Sequence, residues 1–308
     1  MRKNLLYRAA ALGALPFLFV ACSKQDNEPM DMEAERVPLE ISISADTRTI
    51  IEGSTLPDLT SFGIFGVTEE TEALQEDIEN VSVEYVKGKC TLNRDVLLDE
   101  RPTYIYAYYP YSEKAWLNSV PVEMNAGTND YLYGCSYSVA TGQNTTVSSA
   151  QPHANIRFKH AMAQVRLIAY KTADYEGNAF VSSFVVNGVP LHGTMEATTG
   201  EIKVTQWGEM TFKVTNPGNL HVEGEGTSTY RFLAIPTDDV AERTVLIELD
   251  SEYVVVPLPN IAWKAGQQYT YTLVVDENHN VLVTESEITP WENNTQDEIT
   301  VGDDNYVE

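Results

Sequence analysis

Five histidines, three cysteines and 45 carboxylates carry whatever acid–base, nucleophilic or metal chemistry this chain could do. Their spacing forms no familiar site. There is no His-Glu-x-x-His pair for zinc, no Gly-x-Ser-x-Gly nucleophile turn, no glycine-rich phosphate loop opening a helix, and no Cys-x-x-Cys. His160, in FKHAMAQV (158–165), begins an apolar run and reads as a packed structural residue. Glycoside hydrolysis needs two carboxylates at a set separation, and no pair stands out among so many acids. The reading is therefore of a protein that is not an enzyme, with no cofactor, no metal and no catalytic residue. Cys90 and Cys135 lie in the folded part. In an oxidising compartment they either pair or stay as buried thiols, and no histidine accompanies them at a metal-ligand spacing.

Binding is a chemistry more open to this chain. Tyr104, Tyr106, Tyr108, Tyr109, Tyr111 and Trp116 crowd into YIYAYYPYSEKAW (104–116). Flat aromatic rings of this kind could stack on a glycan or another host ligand. The plain alternative is a tyrosine-rich strand that packs on both faces.

The elements that would position these residues are strands. VPLEISIS (37–44) alternates cleanly, with Val37, Leu39, Ile41 and Ile43 on one side and Glu40, Ser42 and Ser44 on the other, the period of a half-buried strand. Further strands are expected at 61–67, 81–86, 103–111 and 130–139. After them comes TGQNTTVSSAQPH (141–153), polar and turn-rich, which marks a domain boundary. Beyond it strands are expected at 163–171, 183–191, 230–236, 244–250, 253–259, 268–276 and 280–288. Asn187-Gly188 between apolar runs signals a hairpin, and NHN (278–280) would turn the last pair. Many short strands without a sustained helical period predict an all-β protein of two antiparallel β-sandwich domains, residues 37–150 and 151–308.

A chain of 308 residues is long enough for two such domains. The formal charge of −25 excludes nucleic acid as a partner, because phosphate binding needs concentrated Lys and Arg. Acidity could suggest calcium, yet no EF-hand loop is present. The acidic runs EETEALQEDIE (69–79) and VGDDNYVE (301–308) read as solvated loops.

The first 21 residues read as an export signal: Arg2 and Lys3 as the positive region, Ala9–Val20 as the apolar core, and Val20-Ala21 as small residues before Cys22. The core is too short for a comfortable membrane span. Residues 22–36 are a polar, acidic tether. Val-Ala-Cys resembles a bacterial lipobox, with Phe19 where leucine is usual. That resemblance implies that Cys22 is acylated after cleavage and becomes the mature N-terminus. SKQDNE (23–28) resembles the surface-export tag of Bacteroidetes lipoproteins, implying an outer-membrane, surface-exposed location.

Taken in order, Cys22, ADTRT (45–49), SFGIFGV (61–67), YIYAYYPY (104–111), DYLYG (130–134), FKHAMAQVRL (158–167), WKAGQQYTYTL (263–273) and ITPW (288–291) resemble the fimbrillin-like (FimA/Mfa-type) subunits of Bacteroidetes type V pili. The resemblance spans essentially the whole chain and implies two transthyretin-like sandwiches in a shaft or tip subunit that supports adhesion. It also implies a mechanism. An arginine-specific surface protease cuts after Arg48, leaving Thr49 as the new N-terminus, and the strand carrying Val37, Leu39, Ile41 and Ile43 departs. The emptied edge then takes a strand from another pilin subunit. Arg36 is an alternative cut that would leave the strand in place. The donor would come from 293–308, whose apolar alternation, Ile299 and Val301, is short. The alternative function is a monomeric surface lipoprotein that binds a glycan or host ligand.

Overall fold

The computed structural model describes residues 36–43, 60–124, 129–238, 242–291 and 304–306. Among them the chain is built from strands, with one 3-10 turn at Glu76–Ile78. The first eleven strands are β1 (Val37–Pro38), β2 (Glu40–Ile43), β3 (Thr60–Thr68), β4 (Val81–Val86), β5 (Lys89–Leu92), β6 (Leu97–Leu98), β7 (Thr103–Tyr109), β8 (Val120–Glu123), β9 (Leu132–Ser138), β10 (Gln143–Asn144) and β11 (His153–His160). Seven form one sheet in the order β2-β11-β9-β7-β3-β4-β5, with β10 paired to β9. The sheet curls until β2 and β5, its two ends, come near each other. Every strand of the curl can then turn one face inward. Phe62 and Ile64, Val81 and Val83, Ile105 and Ala107, Leu132, Ile156 and Phe158 meet in a single core. Alternation along each strand puts those residues on one side.

The later strands are β12 (Ala163–Lys171), β13 (Phe180–Met195), β14 (Ile202–Asn219), β15 (Ser228–Ala234), β16 (Thr244–Leu249), β17 (Glu252–Pro257), β18 (Gln267–Val275), β19 (Val281–Pro290) and β20 (Asp304–Tyr306). They make two sheets, β19-β18-β12-β15-β20 and β14-β13-β16-β17. Val165 and Leu167, Tyr269 and Tyr271, and Phe232 come from the first of these sheets, and Phe184, Val186, Phe212 and Ile247 from the second. The all-β, sandwich architecture expected from the strand pattern is present.

Three details depart from the expected arrangement, two of them from a simple split at residue 150. β11 lies beyond the polar stretch 141–153, yet it pairs with β9 and β2 of the first sheet. β8 leaves the first sandwich and pairs antiparallel with His192–Met195 of β13, so Val120 and Val122 belong to the second core. At Asn187-Gly188 there is no hairpin. β13 runs through it with a register shift, and Gly188 adopts φ 71°, so the pair makes a bulge in a long strand. The turn expected at 278–280 does join β18 to β19: Asp276 Oδ1 accepts the N–H groups of Asn278 and Asn280, an Asx-type local bond.

Candidate functional site

Two places in this fold bear on function: the seat of the first strand and the outer face of β7, β9 and β11.

The first strand is held along a seam. β1 pairs antiparallel with β6, Val37 opposite Leu98. β2 pairs parallel with β11, which sets Ile41 beside Ala154 and Ile43 beside Ile156. Between them Leu39 donates its N–H to Val96 O and Glu40 donates to Pro152 O, each at 2.9 Å. Leu39 is buried in the first core, whereas Val37, Ile41 and Ile43 are half-buried. Ser42 Oγ faces outward and lies 2.8 Å from His153 Nε2 and 3.2 Å from Asn155 Oδ1. Within its ladder β2 has a neighbour on one side only. One deeply seated apolar side chain, two half-seated isoleucines, the short antiparallel pairing of β1 with β6 and the parallel ladder of β2 with β11 hold the segment. Full burial of such a side chain contributes about 1.5–3 kcal/mol. Cys22, Arg48 and Thr49 lie outside the described residues, as do 1–35 and 292–303.

The aromatic cluster divides along the strand's alternation. Ile105 and Ala107 point into the first core, and Tyr109 packs against that same core. Tyr104, Tyr106 and Tyr108 share the other face. Tyr108 is fully buried and stacked on Phe65, ring centroids 5.6 Å apart. Its hydroxyl donates to Asn80 Oδ1 at 2.6 Å and accepts the Ser112 N–H at 3.3 Å. Gly63 stands opposite Tyr108 in the β3–β7 ladder, and a Cβ there would overlap the ring. Tyr108 is thus a core residue. Trp116 is 61% exposed, but it sits on the hairpin of the excursion that leads to β8, bridged to Ser119. Of the expected stacking residues, only Tyr104 and Tyr106 lie side by side, half-buried, with ring centroids 6.2 Å apart.

The ladder adds partners that the sequence reading did not single out. Tyr106 faces Cys135, which in turn faces Arg157; Tyr108 faces Tyr133, which faces Lys159. Arg157 lies over the Tyr137 ring at 4.9 Å and Lys159 over Tyr133 at 5.9 Å, within range of cation–π attraction. The signal was present in alternation: Tyr133, Cys135 and Tyr137 in LYGCSYS, and Arg157 and Lys159 between the apolar residues of NIRFKH. Tyr104 donates to Glu69 Oε1 at 3.0 Å, and that bond raises its pKa. Burial raises Tyr106.

The remaining titratable groups act in the fold. Cys90 and Cys135 are free thiols on β5 and β9, with β4, β3 and β7 between them in the sheet. Burial pushes both up to about 11, so they stay protonated at neutral pH and are poor nucleophiles. His160, at the end of β11, sets Nδ1 3.0 Å from Asp130 Oδ2. Burial raises the Asp130 carboxyl, opposed by the hydrogen bond and charge of His160. No cluster of three or more His, Cys, Asp or Glu able to hold a metal occurs among the described residues.

Comparison with known proteins agrees with this architecture. The profile of a family described as fimbrillin-like matches residues 47–291. The crystal structure of a candidate cell adhesion protein from Bacteroides ovatus superposes with a TM-score of 0.62 at 17% identity, covering 84% of this chain and 98% of that one. A second, from Bacteroides uniformis, gives 0.63 at 16% identity, covering 83% and 99%. At these identities the likeness is one of fold. No curated protein matches the sequence.

Proposed function

The chain belongs to the fimbrillin-like family, and on that premise we propose that it is a shaft or tip subunit of cell-surface fimbriae, delivered as a lipoprotein and assembled by strand exchange. Cys22 carries the acyl chains that tether the exported protein to the outer membrane. Several chains together give stable attachment. An arginine-specific protease cuts between Arg48 and Thr49. The described contacts that then hold the cut segment are the seam contacts of β1 and β2.

The observation that carries this reading is how β2 is seated. It closes the curled sheet, yet it is hydrogen-bonded along one side, to β11, and its isoleucines are only half-buried; the one deeply buried side chain of the segment, Leu39, stands just before it. Its departure would bare the edge of β11, with the backbone groups that Glu40–Ile43 now satisfy, and the side chains around Val96, Leu98 and Ala154. An unpaired edge beside exposed apolar surface is a template for another strand. A segment of a neighbouring subunit with alternating apolar residues fits that vacancy. The reading makes the protein a structural, adhesion-supporting component rather than an enzyme, with other pilin subunits and the protease as its partners.

Treatment of the purified chain with an arginine-specific protease tests it. The trimmed chain is expected to polymerise, and Arg48→Ala is expected to stay monomeric under the same treatment. Fibres formed equally well by Arg48→Ala would overturn the mechanism.

A further inference from the structure

β7, β9 and β11 are all interior strands of their sheet, flanked on both sides by hydrogen-bonded neighbours. Their backbone groups are occupied, so this face cannot recruit a partner by strand addition. What it offers is side chains. Tyr104, Tyr106, Tyr137 and Arg157 are half-buried and Lys159 is exposed. The small Cys135 lies between Tyr106 and Arg157 in the cross-strand row and leaves the low point of the face there.

Acidic residues stand at the margins of this face, Glu69 and Glu72 by Tyr104 and Tyr106 and Glu40 opposite His153, but its β11 row carries two cations. The chain holds 20 Lys and Arg against 45 Asp and Glu, yet Arg157 and Lys159 stand together here. Among the described residues Arg101 pairs with Asp99, and His153 and His160 contact Glu40 and Asp130; neither Arg157 nor Lys159 takes part in these contacts. Both rest instead on tyrosine rings, which fixes where the charge sits while leaving its hydrogen-bond donors available. The face is also polar along its length. At the β7 end Glu69 accepts the Tyr104 hydroxyl, so an anion is disfavoured there. At the β11 end the two cations favour one.

We infer that this face binds an acidic oligosaccharide, with a neutral sugar ring over Tyr104 and Tyr106 and a carboxylate held by Arg157 and Lys159. The tyrosine rings meet the C–H face of a sugar, and the guanidinium of Arg157 can receive a carboxylate bidentately. From β7 to β11 is two inter-strand spacings, roughly 10 Å, a span that needs more than one sugar unit. The residues named on this face are tyrosine rings and two cations rather than the buried aliphatic and aromatic anchors that protein partners use, which sets the saccharide above an acidic polypeptide. The inference does not depend on strand exchange, because binding is read on the unassembled chain.

The test is titration calorimetry of the purified full-length chain with trigalacturonate, its neutral counterpart galactotriose, and hexaglutamate. Trigalacturonate is expected to bind, more weakly as salt is raised, and about tenfold or more tighter than either other probe, the scale of one charged hydrogen bond. Tyr106→Ala and Arg157→Ala should each weaken it about tenfold, and Trp116→Ala should leave it unchanged. Arg157→Gln keeps much of the stem over Tyr137 and removes the charge, so a loss there with an unaltered urea midpoint separates recognition from folding. The inference is overturned by no binding of trigalacturonate, by equal binding of galactotriose, by full binding in correctly folded Arg157→Gln, or by hexaglutamate binding as tightly.

Discussion

The imidazole of His160 stacks on the indole of Trp291, ring centroids 3.8 Å apart and planes 20° from parallel. His160 ends the last strand of the first sandwich, and Trp291 directly follows the last long strand of the second. Trp291 donates its backbone N–H to Gly266 O, and His160 faces Asp130. A hydrogen-bonded His–Asp pair with side chains only 10% and 12% exposed therefore sits at the junction under an aromatic lid.

Removing one member of that pair leaves the other buried without it. His160→Ala is expected to lower stability by about 2–3 kcal/mol, the scale for leaving a buried polar group without its partner, with part of the loss coming from the Trp291 stack. Asp130→Asn should cost less, because the amide oxygen still accepts from the ring and the burial penalty on the carboxylate is gone. Urea unfolding of the two single variants and the double variant measures the coupling. Strict additivity would mean that the two side chains do not act as a pair.

The first strand hangs on Leu39. Leu39→Ala is expected to destabilise the uncut chain by about 2–3 kcal/mol, the usual range for a buried leucine. Ile43→Ala, at a half-buried position, should cost less. Urea midpoints check the order, and equal effects would contradict the seating described for β2.

Asp250 should contribute to acid sensitivity, alongside Asp99, Glu248 and Asp276, whose carboxyls are also held below the ordinary range. Burial pushes its carboxyl up, but the N–H groups of Phe180 and Ala179 and the hydroxyl of Tyr175 outweigh that and hold it below the ordinary range. With the folded value depressed, the unfolded chain binds the proton more readily, so this contribution is present above the unfolded value, near 3.9, and is lost as pH falls through the folded one. Asp250→Asn should therefore make the acid limb of a stability–pH curve shallower. An unchanged limb would rule Asp250 out as a contributor.

Much of this was legible where it is local. The alternation of Val37, Leu39, Ile41 and Ile43 is a local property, and the core-facing Leu39 follows from it. Tyr108 was not separable from Tyr106, because both have the same parity. What buries Tyr108 is Phe65 and the space left by Gly63 on a different strand. β14 escaped notice because Gly208, Pro217 and Gly218 interrupt its period and because bulges shift its register against β13. Asn187-Gly188 carries the chemistry of a turn, and the paired strands on either side turned it into a bulge. The β8 crossover to β13 is a long-range pairing that no local pattern encodes. No strand was expected at 153–160, although Arg157 and Lys159 alternate there with Ile156 and Phe158, and their meeting with Tyr137 and Tyr133 needed the ladder.

The claim at the centre is that the first strand is a temporary occupant of its seam. N-terminal sequencing of the protein recovered from the cell surface tests it most directly. The account predicts a start at Thr49, with Cys22 and its acyl chains gone along with residues 22–48. A start at acylated Cys22, or at Val37 after a cut at Arg36, in protein recovered from assembled fibres would contradict it, since either product keeps Val37–Ile43 covalently attached.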